Sequence, residues 1–129
     1  IVFHGASYVD ELSYKELLVN LENESIERGK DQWNFKYRAA ISRPKEFFNR
    51  SWAGHVGRVE SFFKPNKKGI SPLEEMVGEE TTIANTKVYI CGYQGTIDGV
   101  IEYLGPKGFV TKEEKRKDGS YEIKYESYG

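Results

Sequence analysis

The stretch from Lys87 to Cys91, "KVYIC", is a nearly continuous apolar run that stops at Gly92. Strands read this way when both faces of their sheet are covered, as in parallel sheets flanked by helices. Immediately afterwards Ile97, Val100, Ile101 and Leu104 recur at i, i+3, i+4 and i+7, the stripe of a helix with one buried side. The run Gly105-Pro106-Lys107-Gly108 ends that helix. A covered strand feeding an amphipathic helix is the repeating unit of a parallel α/β fold.

The rest of the chain supplies the same alternation. Residues 1–5 form a short apolar run ending at His4-Gly5. Tyr14, Leu17, Leu18 and Leu21 carry a helical stripe, with Asp10 or Ser13 as its expected cap. Residues 33–42 alternate through Trp33, Phe35, Tyr37 and Ala39 and read as a strand. A short helix is expected over residues 57–63. A second spans roughly 72–77, where Ser71-Pro72 precedes Glu74 and Glu75 near the positive end of the helix dipole. Asp118-Gly119 suits a hairpin turn in a solvated charged segment, and the last nine residues alternate as an edge-like strand. The expected architecture is a three-layer α/β fold, a mostly parallel sheet with helices on both faces. It forms one domain over residues 1–129 and begins directly on a strand, as though part of the fold preceded Ile1.

Composition narrows the function classes. A net charge of −1 argues against a broad nucleic-acid surface. One cysteine excludes an internal disulfide and a cysteine-built metal site, and fits the reducing cytoplasm, the expected location. No apolar run approaches the roughly 20 residues of a membrane helix. Oligomeric state is not legible.

In parallel α/β sheets, ligands bind beyond the carboxyl ends of the strands. That rule selects "HGASY" (residues 4–8), "ISRP" (41–44) and "CGYQG" (91–95). The Arg43 guanidinium is a rigid fork that can clamp phosphate oxygens, and the Ser42 hydroxyl adds a neutral donor. Arg58, behind Gly57, is a second candidate clamp. Two arginines on one rim favour a phosphate-bearing ligand. Cys91 has three readings: a buried inert thiol, which is the default for free cysteine, a nucleophile served by His4 or His55, or a wall of the ligand site.

Four segments, taken in order, resemble the NADP-binding half of the ferredoxin–NADP reductases of the plant and bacterial flavoprotein type. They are "HGASYVDELSYKELL", "ISRP", "GRV" (57–59) and "VYICGYQG" (88–95). The resemblance covers most of the chain and rests on the order and spacing of motifs that are individually weak. It implies a Rossmann-like domain using NADP and FAD, with ferredoxin or flavodoxin as electron partner. It places Gly5, Ala6 and Ser7 on the ligand rim and gives the 2′-phosphate of NADP to Ser42, Arg43 and Arg58. Cys91 becomes a wall of the nicotinamide pocket, with Gly92 admitting the dinucleotide and Tyr93 and Gln94 meeting its adenine side. Tyr128 would stack on the flavin, with Tyr125 as the alternative.

The chain also departs from the family pattern. The family's first strand, its Gly-Thr-Gly-x-x-Pro loop and its FAD-binding barrel have no counterpart here, so FAD would be held mainly by a part outside this chain. The isolated chain is then expected to be inactive. Ser7 stands where many bacterial members carry an arginine. Two other readings share the fold: a reductase component serving an oxygenase or haem partner, and a nucleotide-binding module without catalysis.

Overall fold

A computed structural model describes residues 1–128. The chain divides into two compact units, one over Ile1–Val59 and the other from Glu60 onward. Every described strand pairing is parallel, and the fold is α/β.

The first unit is built on strands β1 (Val2–Ala6), β2 (Tyr37–Ile41) and β3 (His55–Val56), in sheet order β1-β2-β3. Parallel neighbours need a crossover, and helix α1 (Lys15–Arg28) supplies it between β1 and β2. Leu12, Tyr37, Ala39 and Ile41 form the core, with Val2, Ala6, Leu18 and Trp52 packed against it.

Several expectations shift here. The buried side of α1 runs through Leu18, Leu21, Glu22 and Ser25, while Tyr14 and Leu17 are exposed. Polar residues share that side because they have work to do. The Ser25 hydroxyl donates to the Trp33 carbonyl at 2.6 Å and accepts from the Phe35 amide at 2.7 Å. Glu22 accepts from the Tyr37 amide at 3.1 Å. These bonds satisfy backbone that the alternation over 33–36 assigned to a strand, so β2 starts only at Tyr37. Neither Asp10 nor Ser13 caps α1. The cap position is Tyr14, in the left-handed region at φ 63°, after a 3-10 turn over Val9–Glu11.

In the second unit, helix α2 (Pro72–Val77) begins as expected. Ser71 accepts from the Glu74 amide, and Glu74 answers by accepting from the Ser71 amide. Strand β4 (Val88–Gly92) leads into helix α3 (Gln94–Leu104) and pairs in parallel with β5 (Ile123–Ser127). Ile97, Val100 and Leu104 of α3 close over Ile90 and Ile123 of the strands, with Phe109 completing the core. Each such side chain contributes about 1.5–3 kcal/mol by leaving water.

Residues 57–63 hold a 3-10 turn, Val59–Phe63, in place of the expected helix. The Asp118-Gly119 turn forms, with Gly119 at φ 85°, but it joins no antiparallel strands. The segment is not simply solvated either, because Arg116 within it reaches the buried Glu122. The two-sided cover expected of β4 is also missing. Ile90 is buried, whereas Tyr89 and Cys91, alternating to the other face, are exposed.

Candidate functional site

The carboxyl ends of β1, β2 and β3 bring together the residues expected to face a phosphate. The Ser42 amide donates to the Ala6 carbonyl at 3.0 Å, and the Ser42 hydroxyl lies 3.5 Å from that of Ser7. The Gly57 amide donates to the Ile41 carbonyl at 3.0 Å, which sets the chain entering Arg58 beside the same rim. Gly57 sits at φ 129°, a conformation that glycine adopts at little cost.

Arg43 is exposed and rests against Tyr8, with its Nη1 3.4 Å from the Tyr8 hydroxyl and its guanidinium carbon 5.7 Å from the ring centre. A flat cation against an aromatic face is held without being neutralised. Among the described residues no carboxylate pairs with Arg43, so its fork is available to an anion.

Gly5 belongs to the same strand end, but its missing side chain answers a packing demand. A Cβ there would sit 2.7 Å from Val59 Cβ and 3.4 Å from the Val59 amide nitrogen, atoms that no rotamer change can move away. Gly5→Ala is expected to cost about 2 kcal/mol by overpacking, read as a lower denaturation midpoint. A change below about 0.5 kcal/mol would show that Val59 yields freely.

The second unit gathers the other candidates where β4 turns into α3. Cys91 is exposed, so the default of an inert buried thiol does not hold. Its thiol shares hydrogen bonds with the hydroxyls of Tyr89 and Tyr128. The Glu126 carboxylate beside Tyr89, aided by burial and by Cys91, pushes that phenol up to about 12. The bond to Cys91 also raises Tyr128, so both phenols stay protonated near neutral pH. Tyr128 is anchored through its amide, which donates to the Gly92 carbonyl at 2.9 Å, while its ring is exposed. Tyr125, the alternative to Tyr128, instead packs on the core of this unit.

Tyr93 is the cap residue of α3 and is exposed, with no side chain closing the helix end and no acid in its first turn. Such an end presents free amides to an anion. Gln94 turns back to Asp98 at 2.8 Å. Unlike Gly5, Gly92 has room: the nearest atom to an added Cβ is Thr96 Cβ at 3.5 Å. Among the described residues no cluster of His, Cys, Asp and Glu could hold a metal ion, and no helix is long and apolar enough to cross a membrane.

Parallel strands joined by crossover helices, with candidate ligand residues at their carboxyl ends, define a Rossmann-like α/β fold. A ferredoxin NADP+ reductase from Neisseria gonorrhoeae, solved with bound FAD and NADP, shares it with a TM-score of 0.66 at 18% sequence identity. The similarity covers 97% of this chain and 42% of that one, so the chain spans well under half of the reductase's length. No family model matches the chain, and no curated protein does.

Proposed function

We propose that this chain is the NADP(H)-binding domain of a cytoplasmic flavoprotein reductase. In that enzyme hydride passes between NADP(H) and FAD, and electrons are exchanged with ferredoxin or flavodoxin. The observation that carries the reading is the exposed Ser42–Arg43 pair beside Ser7, at the carboxyl ends of parallel strands, with no carboxylate among the described residues on Arg43. The solved reductase of the same fold, with its FAD and NADP, supports the choice of cofactors.

Taken separately, each unit offers residues that fit part of a 2′-phosphorylated dinucleotide. Ser42, Arg43 and Arg58 in the first unit take the 2′-phosphate. In the second, the open end of α3 suits a pyrophosphate or ribose oxygen, and Gly92 leaves its backbone approachable. Cys91 acts as a wall that orients the nicotinamide, an effect of position and not of covalent attack. Tyr128 offers a planar face to the flavin, which is held mainly outside this chain. When bound, the two cofactors would supply the hydride chemistry themselves, so the reading asks for no protein nucleophile.

The test is a titration of the chain with 2′-phospho-AMP and with AMP. The phosphorylated ligand is expected to bind at least about tenfold tighter, equivalent to roughly 1.4 kcal/mol. Equal affinities would remove the NADP assignment. A second variant probes the other end of the ligand. Gly92→Ala is expected to change stability by less than about 1 kcal/mol, because a methyl group fits there. It should weaken NADP+ about tenfold while leaving 2′-phospho-AMP unaffected. Unchanged NADP+ binding in that variant would take Gly92 out of the site.

A further inference from the structure

Asn49 is the most deeply buried polar side chain of the first unit, at 1% exposure, in a 3-10 turn, Phe47–Asn49, that follows the Ser42–Arg43 rim. Its amide nitrogen donates to the Ser7 carbonyl at 2.8 Å and to the Arg43 carbonyl at 2.8 Å. Its amide oxygen accepts from the Val9 amide at 3.0 Å. One side chain thus ties the loop leaving β1 to the loop leaving β2, at the very residues that face the ligand.

Its backbone is fixed as well. The Asn49 amide donates to the Glu46 carbonyl at 2.9 Å, and its carbonyl accepts from the Trp52 amide at 2.8 Å. The geometry asks for a carboxamide. Two of its contacts need a donor and one needs an acceptor, and only asparagine or glutamine offers both on one planar group. Glutamine is one methylene too long for a site this closely packed. Beyond Asn49, the two loops are joined where the strand ladder ends, by the Ser42 amide on the Ala6 carbonyl at 3.0 Å; past that point only exposed side-chain contacts link them, Arg43 to Tyr8 at 3.4 Å and Ser42 to Ser7 at 3.5 Å. Distances that long carry little energy.

We propose that Asn49 is a positioning residue for 2′-phosphate recognition. It touches no ligand, and it holds the Ser7 and Arg43 backbones at the separation from which the Ser42 hydroxyl and the Arg43 fork reach one phosphate. The inference rests on the NADP(H) reading above. It adds that selectivity for the phosphate depends on a buried amide behind the rim.

Asn49→Asp tests this most sharply. The new carboxylate keeps the bond to the Val9 amide but faces the Ser7 and Arg43 carbonyls with negative charge, so both loops are released. Asn49→Ser is milder, since a hydroxyl donates to one carbonyl at a time. The readout is the ratio of affinities for 2′-phospho-AMP and AMP, measured alongside the denaturation midpoint. A wild-type ratio of at least about tenfold is expected to fall below about threefold in either folded variant, with AMP affinity held within about twofold. Should Asn49→Asp fail to fold, Asn49→Ser decides. A folded variant that keeps the wild-type ratio, or loses affinity for both ligands equally, overturns the positioning role. Loss of fold in both variants makes Asn49 a keystone of the unit and overturns it too. A wild-type chain with no preference at all refutes the NADP(H) reading, and the inference falls with it. That result is visible without any variant.

Discussion

Arg43→Ala is expected to abolish the preference for a 2′-phosphorylated adenosine. Affinity for 2′-phospho-AMP should drop at least about tenfold, roughly 1.4 kcal/mol, while AMP changes by less than about twofold. The selectivity follows from the proposed role: a guanidinium that clamps the 2′-phosphate has nothing to hold in AMP, which lacks that group. A bidentate charged bond at an exposed rim supports an effect of this size, and a point charge does not replace it. Arg43→Lys should therefore recover only part of the loss. Two conditions sharpen the test. Added salt should weaken the phosphorylated ligand and spare AMP. The preference should also grow as pH rises through about 6, where the phosphate takes its second charge. An unaltered ratio in Arg43→Ala would move the clamp elsewhere, with Arg58 the next position to substitute.

Glu122→Gln is expected to be the most destabilising polar substitution in the second unit. Glu122 is buried, and both of its oxygens are engaged. Oε2 accepts from Arg116 Nη1 at 2.7 Å, and Oε1 accepts from Arg116 Nη2 at 2.9 Å and from the Val110 amide at 3.1 Å. Arg116 Nη2 also donates to the Gly108 carbonyl at 2.8 Å, so one fork closes the charged loop onto the entry of β5. Glutamine would turn an NH2 group toward the guanidinium, and removing one partner of a buried pair costs about 3 kcal/mol. Denaturant unfolding checks this, and a loss under about 1 kcal/mol would mean that the pair is replaced by water.

The same bonds set the response to acid. Arg116 holds the Glu122 carboxyl below its usual 4.5. For Glu74, burial pushes upward, but the amides of Ser71 and Thr81 together with Lys107 outweigh it, and the net shift is also downward. A carboxyl with a lowered folded value adds stability that is complete above its unfolded value. That stability is lost as pH falls through the folded one. Unfolding should therefore ease below about pH 4.5, and less steeply in Glu122→Gln, which has one such group fewer.

How much of this was legible in the chain depends on how local each cause is. Helix α2 was readable to its ends because its start is written in Ser71-Pro72 and Glu74, a reciprocal cap within four residues. The core side of α3 was readable because Ile97, Val100 and Leu104 carry no competing role. The packed side of α1 lies one turn further along than its apolar stripe, because Ser25 and Glu22 are drawn inward by bonds to backbone ten or more residues away, and apolar periodicity does not register those. The partner of β5 was hidden for the same reason. Asp118-Gly119 marks a turn, but pairing with a strand over thirty residues upstream is a tertiary choice. Strand β3 has two residues and no pattern at all.

Within the candidate site, Ser42, Arg43 and Ser7 were proposed from their place after strands, and the structure brings them to one rim. Asn49 was not, although its signal existed: a polar residue in the aromatic run "EFFNRSW", where an unpartnered amide would be costly. For Cys91 the residue type points the wrong way, since free thiols are usually interior and this one faces out beside Tyr89, which removes the buried-thiol alternative.

That outward face has a practical side for anyone producing the chain. Among the described residues β4 pairs only with β5, so one row of its amides and carbonyls has no strand alongside. Its outer face is lined by Tyr89 and Cys91, and neither brings the charge, proline or bulge that normally discourages a stray strand from adding on. Wherever such a margin is left uncovered it invites a strand of another copy, and the exposed thiol beside it is open to oxidation. Reducing agent and dilute handling are thus part of the protein's physical chemistry as much as of its purification.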